Sequence, residues 1–160
     1  MKKINPDLTQ LIFGNKVDMR SPTLIHQRLL GRIYTTILNY LDKEPVGEIL
    51  KIPLNVWLND ENVVKPDLWF VRNENREVLW EEGATGAPDM VIELLTEETA
   101  YVDMLAKVKL YEQYKVEEYF IVDPKDNEVV AFVLKDGTYT ESYRAQRIID
   151  SKVLGTKITW

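Results

Sequence analysis

The chain has 160 residues, of which 45% are hydrophobic and 29% charged, and it contains no cysteine. This composition predicts one soluble globular domain over residues 1–160, and no apolar run is long enough to span a membrane. The lack of cysteine excludes disulfide scaffolds, cysteine-ligated zinc and thiol catalysis, and it favours an intracellular, cytoplasmic protein. The formal net charge of −6 disfavours broad binding of nucleic acid but leaves a local basic patch open.

The first predicted element is a helix over residues 22–41. Ser21 suits the N-cap position, and Pro22 suits the first helical position, where its missing N–H costs no hydrogen bond. Leucine and isoleucine recur at every fourth residue from Leu29 to Leu41, so the helix has one apolar face that predicts packing against a core.

Short apolar segments after this helix predict strands, and the polar stretches between them predict loops. The strands are expected at residues 47–53, 54–58, 68–71 and 89–95, and the loops at residues 72–76 and 81–86. A second helix is expected from Thr96 or Thr99 to about Lys115. It is followed by a strand at residues 118–122, a hairpin of residues 127–134 and 138–143, and a tail around residues 153–155 that covers the sheet. This order predicts an α/β fold with a mixed β-sheet core flanked by helices.

Glu93 stands inside the apolar segment of residues 91–95, which predicts a strand that is buried on both faces. Burial of an unpaired carboxylate costs several kcal/mol, so such a group is usually paired with a cation, protonated or bound to a metal ion. The segment alone leaves two interpretations open, a buried ion pair with Lys or Arg and a metal site.

Two Pro-Asp pairs supply candidate partners for Glu93. Asp89 and Glu93 would lie four residues apart on one strand, about 13 Å at the usual rise, which is too far for one ion to bind both carboxylates. Asp67 follows Pro66 at the start of a different buried strand, where proline is tolerated, so it could lie beside Glu93. Asp67 is therefore the better partner, although taken alone it fits the end of a turn.

The second predicted helix supplies a cation. Asp103 and Lys107 are four residues apart and share a helix face with Tyr111, whereas Lys109 falls on the solvated side. A lysine on the tyrosine- and leucine-rich side is unusual for packing, which makes Lys107 a candidate site residue. An ordinary Asp–Lys pair whose ammonium group extends to water would explain the same two residues.

Other residues fit structural roles better. His26 is the only histidine, and its place near the start of the first helix favours a satisfied or partly exposed residue over a catalytic one. The tryptophans are expected in the core or in an interface; they are Trp57, Trp69, Trp80 and Trp160.

Four features of the chain occur in an order that resembles a known family. They are KPDL (residues 65–68), GAPDMVIELLT (residues 86–96), the pair Asp103 and Lys107, and VEEYFIVDP (residues 116–124). Each is short, but the four in this order, over nearly the whole chain, resemble the Uma-type putative restriction endonucleases of the PD-(D/E)xK nuclease superfamily. The resemblance implies a restriction endonuclease-like fold, with a four-stranded mixed sheet flanked by helices.

The resemblance also implies roles for individual residues. Asp67 would be the first metal ligand, Glu93 the second and the Leu94 carbonyl a third. The superfamily usually has a lysine where Leu95 stands; in Uma-type members a lysine on a helix replaces it, and Lys107 matches that position.

Two further positions bear on the resemblance. Asp103 matches a recurrent acidic position, which implies an auxiliary role. The first helix offers His26 and Gln27 but no glutamate, so the auxiliary acid that some superfamily members place there is missing.

Two carboxylates and a carbonyl are hard oxygen ligands that suit Mg²⁺ or Mn²⁺. The leading hypothesis is a metal-dependent endonuclease that hydrolyses DNA phosphodiester bonds, acting as a homodimer if both strands are cut. The alternative is a catalytically idle nuclease-fold domain that serves as a nucleic-acid or protein interaction module. A structural homodimer subunit overlaps with both. The set of Asp67, Glu93 and Lys107 favours the enzyme, and the acidic charge favours the alternatives.

Overall fold

A computed structural model of the chain describes residues 9–19, 22–96 and 100–160, without the side chains of residues 100–103. The helices are α1 (Leu24–Leu41) and α2 (Ala100–Gln113), and a 3-10 helix spans Asn73–Val78. The strands in chain order are β1 (Thr9–Ile12), β2 (Asn15–Asp18), β3 (Gly47–Lys51), β4 (Asn55–Asn59), β5 (Asn62–Val64), β6 (Leu68–Arg72), β7 (Leu79–Trp80), β8 (Gly83–Thr85), β9 (Met90–Leu94), β10 (Glu118–Val122), β11 (Glu128–Lys135), β12 (Thr138–Gln146), β13 (Ile148–Ser151) and β14 (Thr156–Thr159).

The central sheet has six strands in the order β12–β11–β10–β9–β6–β3. Strands β9 and β10 run parallel, and α2 joins them as the crossover that parallel neighbours require. The other neighbours in this sheet are antiparallel, so the predicted mixed sheet is confirmed. The sheet has two strands more than the four that the resemblance implies, because the β11–β12 hairpin continues it beyond β10.

Both faces of the central sheet are covered. Helix α1 and the C-terminal hairpin β13–β14 pack on one face, together with Leu68 and Phe70 of β6. Helix α2 and a second sheet pack on the other face, together with Trp69 and Val71 of β6. Successive side chains of a strand point to opposite faces, so a strand that is covered on both sides must be apolar at nearly every position. This explains the continuous apolar segments of β6, β9 and β10.

The second sheet consists of six short strands in the order β2–β1–β5–β4–β8–β7. The sequence patterns do not predict its β1–β2 hairpin, and the loop predicted at residues 81–86 is wrong because it includes β8. These strands are two to five residues long and β2 is largely exposed, so they show little apolar alternation. Gly83 marks the pairing of β8 with β4, since a Cβ atom there would lie 1.9 Å from the Asn55 carbonyl oxygen.

Helix α1 begins later than the sequence predicts. Its N-cap is Thr23, whose Oγ1 accepts a hydrogen bond from the His26 backbone N–H at 3.3 Å. Ser21, the predicted cap, lies outside the described residues, as does Thr99 before α2. Serine and threonine are both good caps, so only the backbone geometry distinguishes them. The predicted apolar face is confirmed, with Leu29, Leu30, Ile33, Ile37 and Leu41 buried.

Neither helix in the described part of the chain is long and apolar enough to cross a membrane.

The C-terminal hairpin is attached to the central sheet by buried polar groups. The Ser151 hydroxyl contacts a carboxylate oxygen of Glu118, and the Lys152 backbone N–H donates to the other oxygen at 2.7 Å. The Leu154 backbone N–H donates to Ser151 Oγ at 3.0 Å. Glu118 and Ser151 are each 2% exposed, so these hydrogen bonds replace the water that both groups lose on folding.

We expect Ser151→Ala to lower the free energy of unfolding by about 1–3 kcal/mol, because it leaves a buried carboxylate oxygen without its donor. Urea unfolding followed by circular dichroism measures the change. Ser142→Ala, at an exposed position of β12, is the matched control and should change stability by less than about 0.5 kcal/mol. Equal effects of the two substitutions would contradict the anchoring role of Ser151.

Candidate active site

A cleft of about 360 Å³ opens where β6 begins and β9 ends. Strand β1, the start of α1 and the side of α2 form its walls. Its polar lining residues are Gln10, Asp18, His26, Gln27, Asp67, Glu93, Thr96, Lys107 and Tyr119. The cleft therefore brings Asp67, Glu93, Leu94 and Lys107 together, as the sequence and the resemblance predict.

The strand register explains why Asp67 lies near Glu93. Strands β6 and β9 are antiparallel, and Leu68 pairs with Ile92. Asp67 immediately precedes Leu68 and Glu93 immediately follows Ile92, so the two carboxylates occur at the same end of neighbouring strands. Side chains of directly opposite residues lie close together in an antiparallel pair. The Leu94 backbone N–H donates to Asp67 Oδ2 at 2.8 Å, which fixes the position of the Asp67 carboxylate relative to β9.

Glu93 is paired with a lysine, which is one of the two interpretations that the sequence leaves open. Lys107 Nζ donates to Glu93 Oε1 at 2.7 Å, and Tyr111 Oη donates to the same oxygen at 3.0 Å. Both donors come from α2 one turn apart. Among the described residues no protein group donates to the other oxygen, Oε2. The ion pair therefore compensates the buried charge while it leaves one carboxylate oxygen available.

Burial is the largest influence on the pKa of the Glu93 carboxylate. It raises the pKa of Glu93, the Lys107 ammonium lowers that pKa, and the Asp67 carboxylate raises it again; the net pKa is above the ordinary value. Burial also raises the pKa of Tyr111 well above its usual value, and the charge of Glu93 adds to this. Tyr111 therefore stays protonated and remains a hydrogen-bond donor at neutral pH. The charge of Asp67 opposes ionisation of Glu93, and a cation bound between the two carboxylates would relieve this repulsion.

Asp89 lies outside the cleft, as the strand arithmetic predicts. It precedes β9 at the opposite end from Glu93, and its carboxylate accepts hydrogen bonds from the Arg72 backbone N–H at 2.7 Å, Arg72 Nη1 at 3.1 Å and Asn75 Nδ2 at 2.6 Å. Arg72 also forms an ion pair with Glu117 at 2.6 Å. Asp89, the aspartate of the second Pro-Asp pair, thus binds residues at the end of β6 and in the segment that connects β6 to β9.

Asp103 lies in α2, but its side chain is outside the described part of the structure. Trp69 and Trp57 are buried, as predicted, and Trp160 is partly buried against the core. Trp80 is 38% exposed, and its ring lies 5.2 Å from that of Trp57. Among the described residues no group of three or more His, Asp or Glu side chains is close enough to hold a metal ion. A cation here would have to complete its coordination with backbone, water or substrate oxygens.

Two residues next to the carboxylates are not predicted from the sequence. Tyr111 is four residues after Lys107, so helical spacing places it on the same face, but the spacing does not show that its hydroxyl reaches Glu93. His26 is expected to be satisfied or partly exposed. Instead it is buried, its Nε2 lies 3.4 Å from Asp67 Oδ1, and its Nδ1 has no hydrogen-bond partner among the described residues. Burial lowers the pKa of His26, but the contact with Asp67 raises it more, so the net pKa is above the ordinary value.

We expect Lys107→Met, measured in EDTA, to lower the free energy of unfolding at pH 8 by about 3–5 kcal/mol, because Glu93 loses the cation that pairs with it. Without this ammonium the pKa of Glu93 rises further above its unfolded-state value of about 4.3. When an acid has a higher pKa in the folded than in the unfolded state, its protonation stabilises the fold. This stabilisation is fully present below the unfolded-state pKa and is lost as the pH rises through the folded-state pKa. The loss should therefore be smaller at pH 5 than at pH 8 in urea unfolding.

Two controls make this experiment specific. Lys109→Met removes an exposed lysine of the same helix and should change stability by less than about 0.5 kcal/mol. Adding Glu93→Gln to Lys107→Met removes the unpaired charge and should restore much of the lost stability. A loss that is equal at pH 5 and pH 8 would show that packing, and not the ion pair, is responsible.

Comparisons with known proteins identify the family. A family model described as "Uma2: Putative restriction endonuclease" matches residues 6–158. A crystal structure described as a putative nuclease belonging to DUF820 from Anabaena variabilis is similar with a TM-score of 0.71 and 12% identity, covering 91% of this chain and 82% of that chain. This likeness supports the fold.

Two other comparisons found low structural similarity or no match. A cryo-EM structure of a DrdV–DNA complex matches with a TM-score of 0.38 and 11% identity over 74% of this chain and 12% of that chain. No curated protein matches the sequence. The family model covers nearly the whole sequence, and the chain therefore belongs to the Uma2 family of restriction endonuclease-like proteins.

Proposed function

We propose that this protein is a metal-dependent endonuclease that hydrolyses DNA phosphodiester bonds with Mg²⁺ or Mn²⁺. The observation that carries the proposal is the meeting of Asp67, Glu93 and Lys107 in one cleft, although they come from two strands and a helix. Two carboxylates that share a buried site repel each other, and packing offers no reason to keep both. A cation between them and a lysine beside them account for all three groups.

The donor atoms fit a hard divalent cation. Glu93 Oε2 has no protein donor among the described residues, and each oxygen of Asp67 has at most one, so lone pairs remain on both carboxylates. Mg²⁺ is usually bound through one or two carboxylates and keeps several waters, which agrees with the small number of acidic groups in the cleft. When bound, such an ion supplies Lewis acidity, which polarises a phosphoryl oxygen and lowers the pKa of water.

The Leu94 carbonyl suits the role of a third ligand. The Leu94 N–H donates to Asp67, so this residue directs its backbone groups toward the β6 side. The N–H and C=O groups of one strand residue point to the same side, which places the carbonyl on the side of Asp67. Asp103 is assigned an auxiliary role only from the family resemblance.

Lys107 would act on the substrate rather than on the ion. An ammonium group has three donors, and among the described residues Glu93 accepts one of them. The remaining donors can orient an attacking water and offset the negative charge that develops on the phosphoryl oxygens. Tyr111 donates to the same Glu93 oxygen, so both donors from α2 use Oε1 and neither uses Oε2.

The alternative proposal is an idle nuclease-fold domain that binds nucleic acid or protein. The net charge of −6 disfavours broad binding of phosphate, because the chain has 26 acidic and 20 basic residues, and it therefore favours the protein-binding form of this alternative. A homodimer belongs to the nuclease proposal only if both DNA strands are cut, because a chain this small would then need two active sites. The cytoplasmic location stays a sequence-based prediction.

We expect millimolar Mn²⁺ or Mg²⁺ to raise the melting temperature, because a ligand that binds only the folded state stabilises it by about 2.7 kcal/mol at 100 times its Kd. Asp67→Asn and Glu93→Gln each remove ligand charge and should abolish this rise in a thermal-shift measurement. Asp89→Asn is the matched control: it should lower the melting temperature without metal but keep the metal-dependent rise. A rise that persists in both Asp67→Asn and Glu93→Gln would place the ion elsewhere.

We expect the purified protein to nick or degrade DNA with Mn²⁺, as followed by the conversion of supercoiled plasmid. Lys107→Ala should lose most of this activity but still bind Mn²⁺, because its ammonium serves water and substrate instead of the ion. Asp67→Ala should lose both. Lys109→Ala, prepared identically, controls for a contaminating nuclease and should cut like the wild type. Equal cutting by wild type and Lys107→Ala, or Mn²⁺ binding without any cleavage, would favour the interaction module.

A further inference from the structure

His26 is the only histidine of the chain and lies at the wall of the cleft. The Thr23 cap fixes the first turn of α1, because its side chain accepts the hydrogen bond of the His26 backbone N–H. His26 is buried, with 6% of the residue exposed. Its Nε2 lies 3.4 Å from Asp67 Oδ1.

Packing alone does not explain a histidine at this position. The buried face of α1 is otherwise formed by leucine and isoleucine, and an apolar side chain would continue that face without a polar group to satisfy. The Nδ1 atom is buried and has no hydrogen-bond partner among the described residues. A buried polar atom without a partner is uncommon, so Nδ1 gives no reason for a histidine here. The contact of Nε2 with Asp67 Oδ1 is the polar contact that distinguishes this histidine from an apolar residue.

The two carboxylate oxygens of Asp67 are contacted from two different elements, strand β9 and helix α1. Oδ2 accepts the Leu94 backbone N–H at 2.8 Å, and Oδ1 faces His26 Nε2. With a backbone donor on Oδ2 and an imidazole nitrogen 3.4 Å from Oδ1, both oxygens of the carboxylate have a neighbour that can restrict its rotation. Groups that orient metal ligands in this way commonly change metal affinity when they are removed.

We propose that His26 is a positioning residue: it donates a hydrogen bond from Nε2 to Asp67 Oδ1 and so turns the carboxylate toward the cation. This inference rests on the proposed metal site. It assigns to the first helix a hydrogen-bond donor for Asp67 that comes from outside the two strands and the helix that supply Asp67, Glu93 and Lys107. A nitrogen that donates to Asp67 cannot bind the ion at the same time, so this role excludes His26 Nε2 as a ligand. The lack of any close group of three His, Asp or Glu among the described residues agrees with that.

The test compares two substitutions by calorimetric titration with Mn²⁺. We expect His26→Leu, which keeps the bulk but not the donor, to weaken Mn²⁺ binding by about 10–100-fold. His26→Gln places an amide N–H near the position of Nε2 and should restore most of the affinity. Asn39→Leu, at an exposed position of the same helix outside the cleft, is the control and should leave affinity unchanged.

A measurement on the wild type keeps the test decisive if a variant fails to fold. Because the chain has one histidine, its imidazole ¹⁵N–¹H spectrum is assigned without ambiguity. We expect the Nε2 proton to be present without metal and to remain with saturating Mg²⁺. Loss of that proton on Mg²⁺ addition would make His26 a ligand and overturn the proposal.

The outcomes separate this inference from the proposed function. Equal Mn²⁺ affinity in wild type and His26→Leu, with binding abolished by Asp67→Asn, would refute the positioning role alone. Equal loss in His26→Leu and His26→Gln would refute it as well, because the amide donor should rescue binding. Mn²⁺ binding that survives Asp67→Asn would instead refute the metal site on which the inference rests.

Discussion

The carboxylate of Glu93 is buried near the end of β9 between two covered faces of a sheet, and the surrounding structure compensates for its charge. A charge in this position is costly unless cations and hydrogen-bond donors replace its water. Helix α2 supplies both through Lys107 and Tyr111, which contact the same oxygen. The same helix is the crossover between the parallel strands β9 and β10, so the sheet topology itself brings these donors over Glu93. One oxygen is held by the helix, and Glu93 lines the cleft.

The remaining parts of the cleft follow from strand pairing. The antiparallel register of β6 and β9 places Asp67 next to Glu93, while the same pairing leaves Asp89 at the far end, where Arg72 and Asn75 satisfy it. The two Pro-Asp pairs of the chain thus have different physical roles. One carboxylate has lone pairs free toward a cavity, and the other is fully used in holding a connection.

Much of this arrangement is predictable from the sequence, because burial and strand geometry restrict where a carboxylate can be. The strand at Glu93, the exclusion of Asp89 and the helical face of Lys107 follow from apolar runs and residue spacing. The second sheet is not predictable in this way, since its strands are short and partly exposed. The orientation of His26 depends on which residue caps α1, and the cap at Thr23 follows from backbone geometry that residue type alone does not determine.

The proposed metal site requires that one divalent cation binds both Asp67 and Glu93. A crystal structure of the protein with Mn²⁺, with data collected at the manganese absorption edge, tests it directly. We expect one anomalous peak in the cleft within about 2.0–2.6 Å of an oxygen of each carboxylate, with Lys107 outside the coordination sphere. A peak that touches only one of the two carboxylates, or a cleft without a peak at saturating Mn²⁺, would contradict the shared metal site.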